Sequence, residues 1–241
     1  MNLVKPDSLD NHNKENRPQF WEDIYLADDA KWDLQGSTPI FKKLANNLSL
    51  GDLCIIGCGR GYDAIEFAKR GFNVTAIDFA PSAILSLEKM ALHENVDLQI
   101  IEKDIFTLLP DYKNSFDYVI EQTCFCAIHP SRRKEYEVIV KGILKSGGHL
   151  VGLWFPLDKD IKEEGPPYGT TTDEVKSIFQ TGWEITREEF SEYSIKPRKG
   201  REKLIIFKNL INYIFNSFNN FLRHWVCKRC KSIKNFSIFI N

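Results

Sequence analysis

The chain of 241 residues is 43% apolar and carries 32 Lys or Arg against 33 Asp or Glu, a formal net charge of −1. That length can bury one full α/β-sized core, and near-neutrality excludes a globally basic nucleic-acid binder, so no nucleic-acid partner is expected. No run of about 18 apolar residues occurs, which argues against a spanning helix, and the polar first 17 residues lack the apolar stretch of a signal peptide.

In chain order, residues 1–16 read as a flexible arm. Phe20 to Tyr25 and Trp32 to Gly36 then place three large aromatics, Trp21, Tyr25 and Trp32, outside any obvious sheet element; composition alone leaves them as core or as ligand contacts. From about Gly51 to Leu153 β and α signals alternate. Asp52–Ile56 reads as a buried strand, Asp63–Arg70 as a helix stopped by Gly71, Asn73–Asp78 as a second strand, and Ser82–His93 as a helix opened by Pro81. Leu98–Glu102 and Phe116–Glu121 supply two more strands, Arg132–Leu144 a helix, Lys145 to Gly148 a turn, and His149–Phe155 a fifth strand. Thr171-Thr-Asp-Glu174 is a capping box for a helix through Gln180, and Trp183–Glu189 with Lys203–Phe207 closes the pattern as an antiparallel hairpin.

This alternation predicts an α/β fold: a doubly wound, seven-stranded, mostly parallel Rossmann-like sheet with helices on both faces and right-handed crossovers. Residues 17–208 would form the domain. Beyond it, residues 209–241 hold five basic and no acidic side chains, leaving the first 208 residues at −6, and apolar positions recur at helical spacing from Phe207 to Trp225. Such a basic amphipathic extension leaves four readings open: an anionic membrane surface, a partner protein, packing on the body, or no role.

The run Leu53-Cys-Ile-Ile-Gly57-Cys-Gly59-Arg-Gly61 ends a strand in three alternating glycines ahead of a helix, and Asp78 ends the next strand. Glycines there let main chain approach a ligand, and the acidic residue about twenty positions on can accept from ribose hydroxyls. A dinucleotide site would have a two-residue gap before its third glycine, so that a pyrophosphate can rest on the helix N-terminus. That gap is missing, which favours a phosphate-free nucleoside ligand, of which S-adenosyl-L-methionine is the commonest. Asp104 after the third strand, beside the backbone of Ile105, suits the adenine amino group; Phe116 to Gln122 would face the methionine part; Leu144 to Gly148 is the glycine turn ahead of the fifth strand.

The whole pattern resembles the class I S-adenosylmethionine-dependent methyltransferases and, more narrowly, the thiopurine S-methyltransferase family with its thiol and halide methyltransferases. The narrower resemblance covers about Gln19 to Lys208. It rests on Trp21-Glu-Asp-Ile-Tyr25 with Trp32-Asp-Leu, on Phe125-Cys-Ala-Ile128 with Pro130 and Arg133, on Phe155-Pro156 with Gly165-Pro-Pro-Tyr168, and on Gly200-Arg-Glu-Lys-Leu204. It implies that Trp21, Tyr25 and Trp32 close over the cofactor and that Gly57, Asp78, Asp104, Ile105 and Gln122 contact it. Plant members have tryptophan and tyrosine where this chain has Tyr25 and Gln122. The implied reaction is in-line methyl transfer to a small nucleophile: a thiol, a thiopurine-like compound or a halide. Arg133 and Tyr168 are the acceptor-side candidates, against plainer readings as a solvated helix-start arginine and a packed loop tyrosine.

Metal binding is not expected. Cys124 and Cys126 would point in opposite directions if the strand continued through them, Cys58 reads as a small packing residue, and Cys227 and Cys230 lack a second ligand pair. Six cysteines of this kind fit reduced thiols in a cytoplasm. The chain is expected to act as a monomer on a small-molecule acceptor. The competing reading is a catalytically inactive cofactor-binding module that works through its tail.

Overall fold

A computed structural model describes residues 14–210. Seven strands form one sheet in the order β3-β2-β1-β4-β5-β7-β6. They are β1 (Asp52–Ile56), β2 (Asn73–Asp78), β3 (Gln99–Glu102), β4 (Phe116–Gln122), β5 (Leu144–Trp154), β6 (Trp183–Glu189) and β7 (Lys203–Asn209). The first five pair in parallel, and β7 runs antiparallel between β5 and β6. The expected mostly parallel sheet with an antiparallel C-terminal hairpin is therefore the observed fold.

Period-two alternation separates the two sheet faces. Leu53 and Ile55 of β1 join Val74, Ala76 and Ile120 under α2 (Pro39–Ala45), α3 (Tyr62–Lys69) and α4 (Pro81–Glu94). Cys54 and Ile56 join Val119, Leu150 and Phe207 under α5 (Arg133–Ile143) and α6 (Thr172–Ile178). A third, smaller cluster lies apart from both: Tyr25, Ala30, Ala80 and Ala83, with Trp21, Ile24 and Trp32 packed on it. It joins α1 (Pro18–Leu26) and the loop after it to the start of α4.

Most boundaries fall where the sequence puts them, and Thr171 caps α6 by accepting from Glu174 N at 3.0 Å. Three differ. Helix α2 is an element the pattern did not suggest. Lys145 to Gly148 form no turn: they lie inside β5, which pairs Leu144 with Phe116 and then His149 with Tyr118, so the glycine-containing stretch is a wide bulge with Gly147 at φ +80°. Finally, β7 extends through Asn209, whose buried side chain donates to the carbonyls of Lys141, Leu144 and Lys145. The rest of the extension, with its helical and cysteine readings, lies outside the described residues.

Of the residues expected as a flexible arm, 14–16 are described. Lys14–Asn16 form a 3-10 turn in which Glu15 is buried, its carbonyl accepting from Trp21 Nε1 at 2.9 Å.

Candidate active site

A cavity of about 720 Å³ opens at the carboxyl ends of β1, β2, β3 and β4. This is the switch point of the sheet, between β1 and β4, whose onward crossovers to β2 and β5 leave in opposite directions so that the loops part to leave a crevice. Gly57, Asp78, Asp104, Ile105 and Gln122 border it from the strand ends, and Trp21, Tyr25 and Trp32 border it from above. All eight residues expected to contact a cofactor thus share one cavity.

Its floor is main chain. Gly57 and Gly59 have φ +59° and +55°, and a Cβ would come within 2.9 Å of Cys124 Sγ at the first and 3.1 Å of the Tyr25 hydroxyl at the second. Side chains there would occupy the crevice as well as strain the backbone. Asp78 Oδ2 accepts from Gly59 N at 2.9 Å and Oδ1 from Ala80 N at 3.0 Å, so one carboxylate ties the glycine loop to the start of α4. Burial pushes the Asp78 carboxyl above its ordinary range, against the backbone N–H groups of Ala80, Gly59 and Phe79 that favour the anion. Asp104 Oδ1 caps the 3-10 turn Ile105–Thr107 through Phe106 N at 2.9 Å. Gln122 Nε2 is buried and makes no hydrogen bond within the described chain.

The roof is aromatic. Trp21 meets Trp32 edge-on at 5.4 Å between ring centroids, and Trp32 meets Tyr25 at 5.8 Å. Burial, with the Asp78 charge behind it, pushes the Tyr25 hydroxyl well above its ordinary pKa, so it stays protonated. Side chains that the sequence reading passed over fasten this roof. Glu22 accepts from Ser82 N at 2.8 Å and Ser82 Oγ at 2.6 Å, capping α4 from another helix. Arg60 of the glycine loop pairs with Asp28 at 2.8 Å and Asp33 at 2.9 Å.

The two acceptor-side candidates do not border the cavity. Arg133 is 1% exposed and does not border the cavity. Its guanidinium pairs with Glu174 Oε1 at 2.8 Å, donates to Gly169 O at 3.1 Å and lies 4.5 Å from the Phe125 ring centre, so it joins α5 to α6 and the preceding loop. It is not a solvated arginine. Tyr168 also stands behind the wall. Its hydroxyl donates to Glu15 Oε1 at 2.6 Å, and Glu15 is the residue that borders the cavity. Burial and this carboxylate raise the Tyr168 pKa.

The two cysteines after β4 correct a further expectation. The strand ends at Gln122 and Phe125–Ala127 form a 3-10 turn, so Cys124 and Cys126 both border the cavity. Burial pushes both thiols up, as it does Cys58, which keeps them protonated packing groups. Among the described residues no group of three His, Cys, Asp or Glu is placed to hold a metal.

Among the cationic side chains bordering the cavity is Arg198, on the connection between β6 and β7, which no local pattern had marked. It is 6% exposed, donates to Trp32 O at 3.1 Å and lies 5.1 Å from the Phe155 ring centre. Asp63, also on the cavity, accepts from Thr38 N at 2.7 Å and Thr38 Oγ1 at 2.8 Å; burial raises its carboxyl to about 6.

Comparison with known proteins adds independent findings. The family described as "Thiopurine S-methyltransferase (TPMT)" matches residues 16–211. The chain is 33% identical over 195 residues to a probable thiol methyltransferase 2 of Arabidopsis thaliana, covering 79% of this chain and 84% of that one. To thiocyanate methyltransferase 1 of Brassica oleracea it is 29% identical over 198 residues, again 79% and 84% of the two chains. A solved structure of a Burkholderia thailandensis 1,6-didemethyltoxoflavin-N1-methyltransferase with bound S-adenosylhomocysteine shares the fold, with a TM-score of 0.66 at 16% identity over 87% of this chain and 92% of that one.

Proposed function

Because this chain belongs to the thiopurine S-methyltransferase family, and so is an S-adenosylmethionine-dependent methyltransferase, we propose that its cavity moves a methyl group onto a small thiol, thiopurine-like compound or halide. The observation that carries the assignment of residues is the convergence of Trp21, Tyr25, Trp32, Gly57, Asp78, Asp104, Ile105 and Gln122 on one crevice.

The residues fit the cofactor on their own chemistry. Main chain at Gly57 and Gly59 leaves the space a Cβ would fill, and the Asp78 carboxylate stands where ribose hydroxyls can donate to it. The second oxygen of Asp104 is available to the adenine amino group beside Ile105. Gln122 Nε2, buried without a partner, gains an acceptor in the carboxylate of the methionine part. When bound, S-adenosylmethionine supplies a methyl on a positively charged sulfur, which departs with the bonding pair as the acceptor's lone pair attacks in line. The protein contributes alignment, worth roughly 7 to 11 kcal/mol at best, and an aromatic roof that excludes water from the anion. A thiolate or halide brings its own electron pair, so no general base is required.

The free thiols of Cys54, Cys58, Cys124 and Cys126 support a reducing, cytoplasmic compartment. Curated relatives bear the names of methyltransferases, which favours catalysis over the inactive-module reading.

Calorimetry with S-adenosylmethionine and gas chromatography of methyl products from thiols, iodide and hydrosulfide test the proposal. Asp78→Ala is expected to weaken cofactor binding roughly ten- to hundredfold, the cost of one charged hydrogen bond. Unchanged affinity would mean the ribose lies elsewhere, and cofactor binding without any methyl product would sink the acceptor assignment.

A further inference from the structure

Among the described residues the cavity wall holds two carboxylates that are more than nine-tenths buried, Asp78 and Glu15. Asp78 has a backbone donor on each oxygen, Gly59 N at 2.9 Å and Ala80 N at 3.0 Å. Away from the cavity, buried Glu121 is likewise met on both oxygens, by Phe125 N at 3.0 Å and the Tyr136 hydroxyl at 2.8 Å. Glu15 differs: its Oε1 accepts from the Tyr168 hydroxyl at 2.6 Å, whereas Oε2 takes neither a hydrogen bond nor an ion pair among the described residues. Arg132, whose NH1 reaches the adjacent Asn16 Oδ1 at 3.0 Å, pairs with Glu135 at 2.9 Å rather than with Glu15. A carboxylate taken this far out of water with one oxygen undonated is costly, and because Glu15 borders the cavity, a ligand that enters can supply the donor. The group is also held in place. Its own carbonyl accepts from Trp21 Nε1 at 2.9 Å, and Tyr168 N donates to Cys126 O at 2.7 Å, so the roof and the turn after β4 fix it from two sides.

Resting on the methyl-transfer reading above, we propose that Glu15 selects the methyl acceptor by accepting a hydrogen bond from it, so that the preferred acceptors are small thiols carrying an N–H or O–H donor rather than thiols or ions without one. The donor meets Oε2 while Tyr168 holds Oε1, which leaves the acceptor's sulfur free to react. An acceptor without a donor leaves the carboxylate as unpartnered as before, the asymmetry by which a hydrogen-bonding site rejects an apolar isostere. A bare anion fares worse, since it meets a fixed like charge. In the transfer itself the acceptor sulfur gives its lone pair to the methyl as the sulfonium–methyl bond breaks with its own pair, and the thiol proton leaves to solvent. Glu15 binds the acceptor and takes no part in that step.

The probes are the ortho, meta and para aminothiophenols, each against the methylthiophenol of the same pattern, an isostere without the donor. Wild-type protein should favour at least one amino acceptor over its isostere roughly tenfold or more, in kcat/KM and in calorimetric binding to the complex with S-adenosylhomocysteine. Glu15→Met should bring that ratio to within about twofold of unity, with S-adenosylhomocysteine affinity within about twofold of the wild type. Tyr168→Phe loosens the same segment but keeps the carboxylate, so the ratio should survive within about threefold even as acceptor KM rises, which separates selection from packing. Should Glu15→Met fail to bind S-adenosylhomocysteine, Glu15→Gln decides. A neutral amide oxygen accepts a weaker bond, so the ratio must fall several-fold, and iodide, freed of the like charge, must bind several-fold tighter. Equal handling of all the pairs by the wild type, a full ratio in Glu15→Met or Glu15→Gln, or loss of the ratio in Tyr168→Phe overturns the proposal. A ratio in binding that depends on Glu15, with no methylated product from any acceptor, would leave the selecting carboxylate standing and remove the methyl-transfer reading instead.

Discussion

At the glycine-loop end of the cavity the ligand-facing surface is largely main chain, set by Gly57 and Gly59 at positive φ and fastened by Asp78; at the Arg198 end it is side chain, carried on the long connections after β5 and β6. A main-chain surface suits one fixed ligand, since few substitutions can reshape it without displacing the strand ends. A side-chain surface can be altered residue by residue without touching the sheet. The same cofactor with differing acceptors, as in relatives named for thiols, thiocyanate and thiopurines, is what such a division permits.

The sharpest break in that comparison would come from Arg133. Arg133→Met is expected to cost roughly 3 to 5 kcal/mol of stability, because it strips Glu174 and two loop carbonyls of a buried partner. Acceptor KM should stay within about twofold, because one connection separates Arg133 from the cavity. Denaturant unfolding and acceptor kinetics on the same protein check this; a KM shift with intact stability would move the acceptor end outward to α5.

Next comes Glu121, at the seam where β4 leaves the sheet. Burial raises its carboxyl to about 7 from an ordinary 4.5, against hydrogen bonds from Phe125 N and the Tyr136 hydroxyl. A raised carboxyl means the folded state holds the proton more tightly than the unfolded one. The stability this supplies is present below about pH 4.5 and is lost as pH rises through about 7, a swing on the order of 3 kcal/mol. Glu121→Gln, which mimics the protonated acid, should flatten the fall in melting temperature over that window. Parallel slopes for the two proteins would remove Glu121 as its source.

The smallest effect tests the roof of the acceptor end. Tyr168→Phe deletes the 2.6 Å hydrogen bond to Glu15, and a loss of about 1 kcal/mol is expected. Acceptor KM should rise a few-fold with cofactor affinity unchanged, since Glu15 borders the cavity and Tyr168 does not; calorimetry that showed the cofactor weakened instead would merge the two ends.

The same division governs what could be read before folding. Strands β1 and β2 have the expected ends, because each is an apolar run cut off by glycine or aspartate. The glycine-loop end of the cavity was legible for that reason: its residues follow strands at short, fixed distances. Helix α2 has only seven residues, too few to establish a period. The bulge in β5 was hidden because glycines that open a turn and glycines that open a bulge look alike in sequence. Arg198 meets Trp32 across 166 residues and Tyr168 meets Glu15 across 153, so no window along the chain contains either pair. Arg133 was placed near the acceptor from its position just beyond β4, whereas the carboxylate that pairs with it stands on α6, 41 residues on.

The small apolar cluster under the roof shares no residue with either face of the sheet. Helix α1 and the loop after it are thus held to the body by a few edge-on ring contacts, the Glu22 cap, the Arg60 pairs and the Arg198 bond to Trp32 O rather than by the strands. Whatever is sealed beneath Trp21 and Trp32 leaves no sooner than those rings part. A substitution that tightens the cluster is therefore expected to lower kcat while raising cofactor affinity.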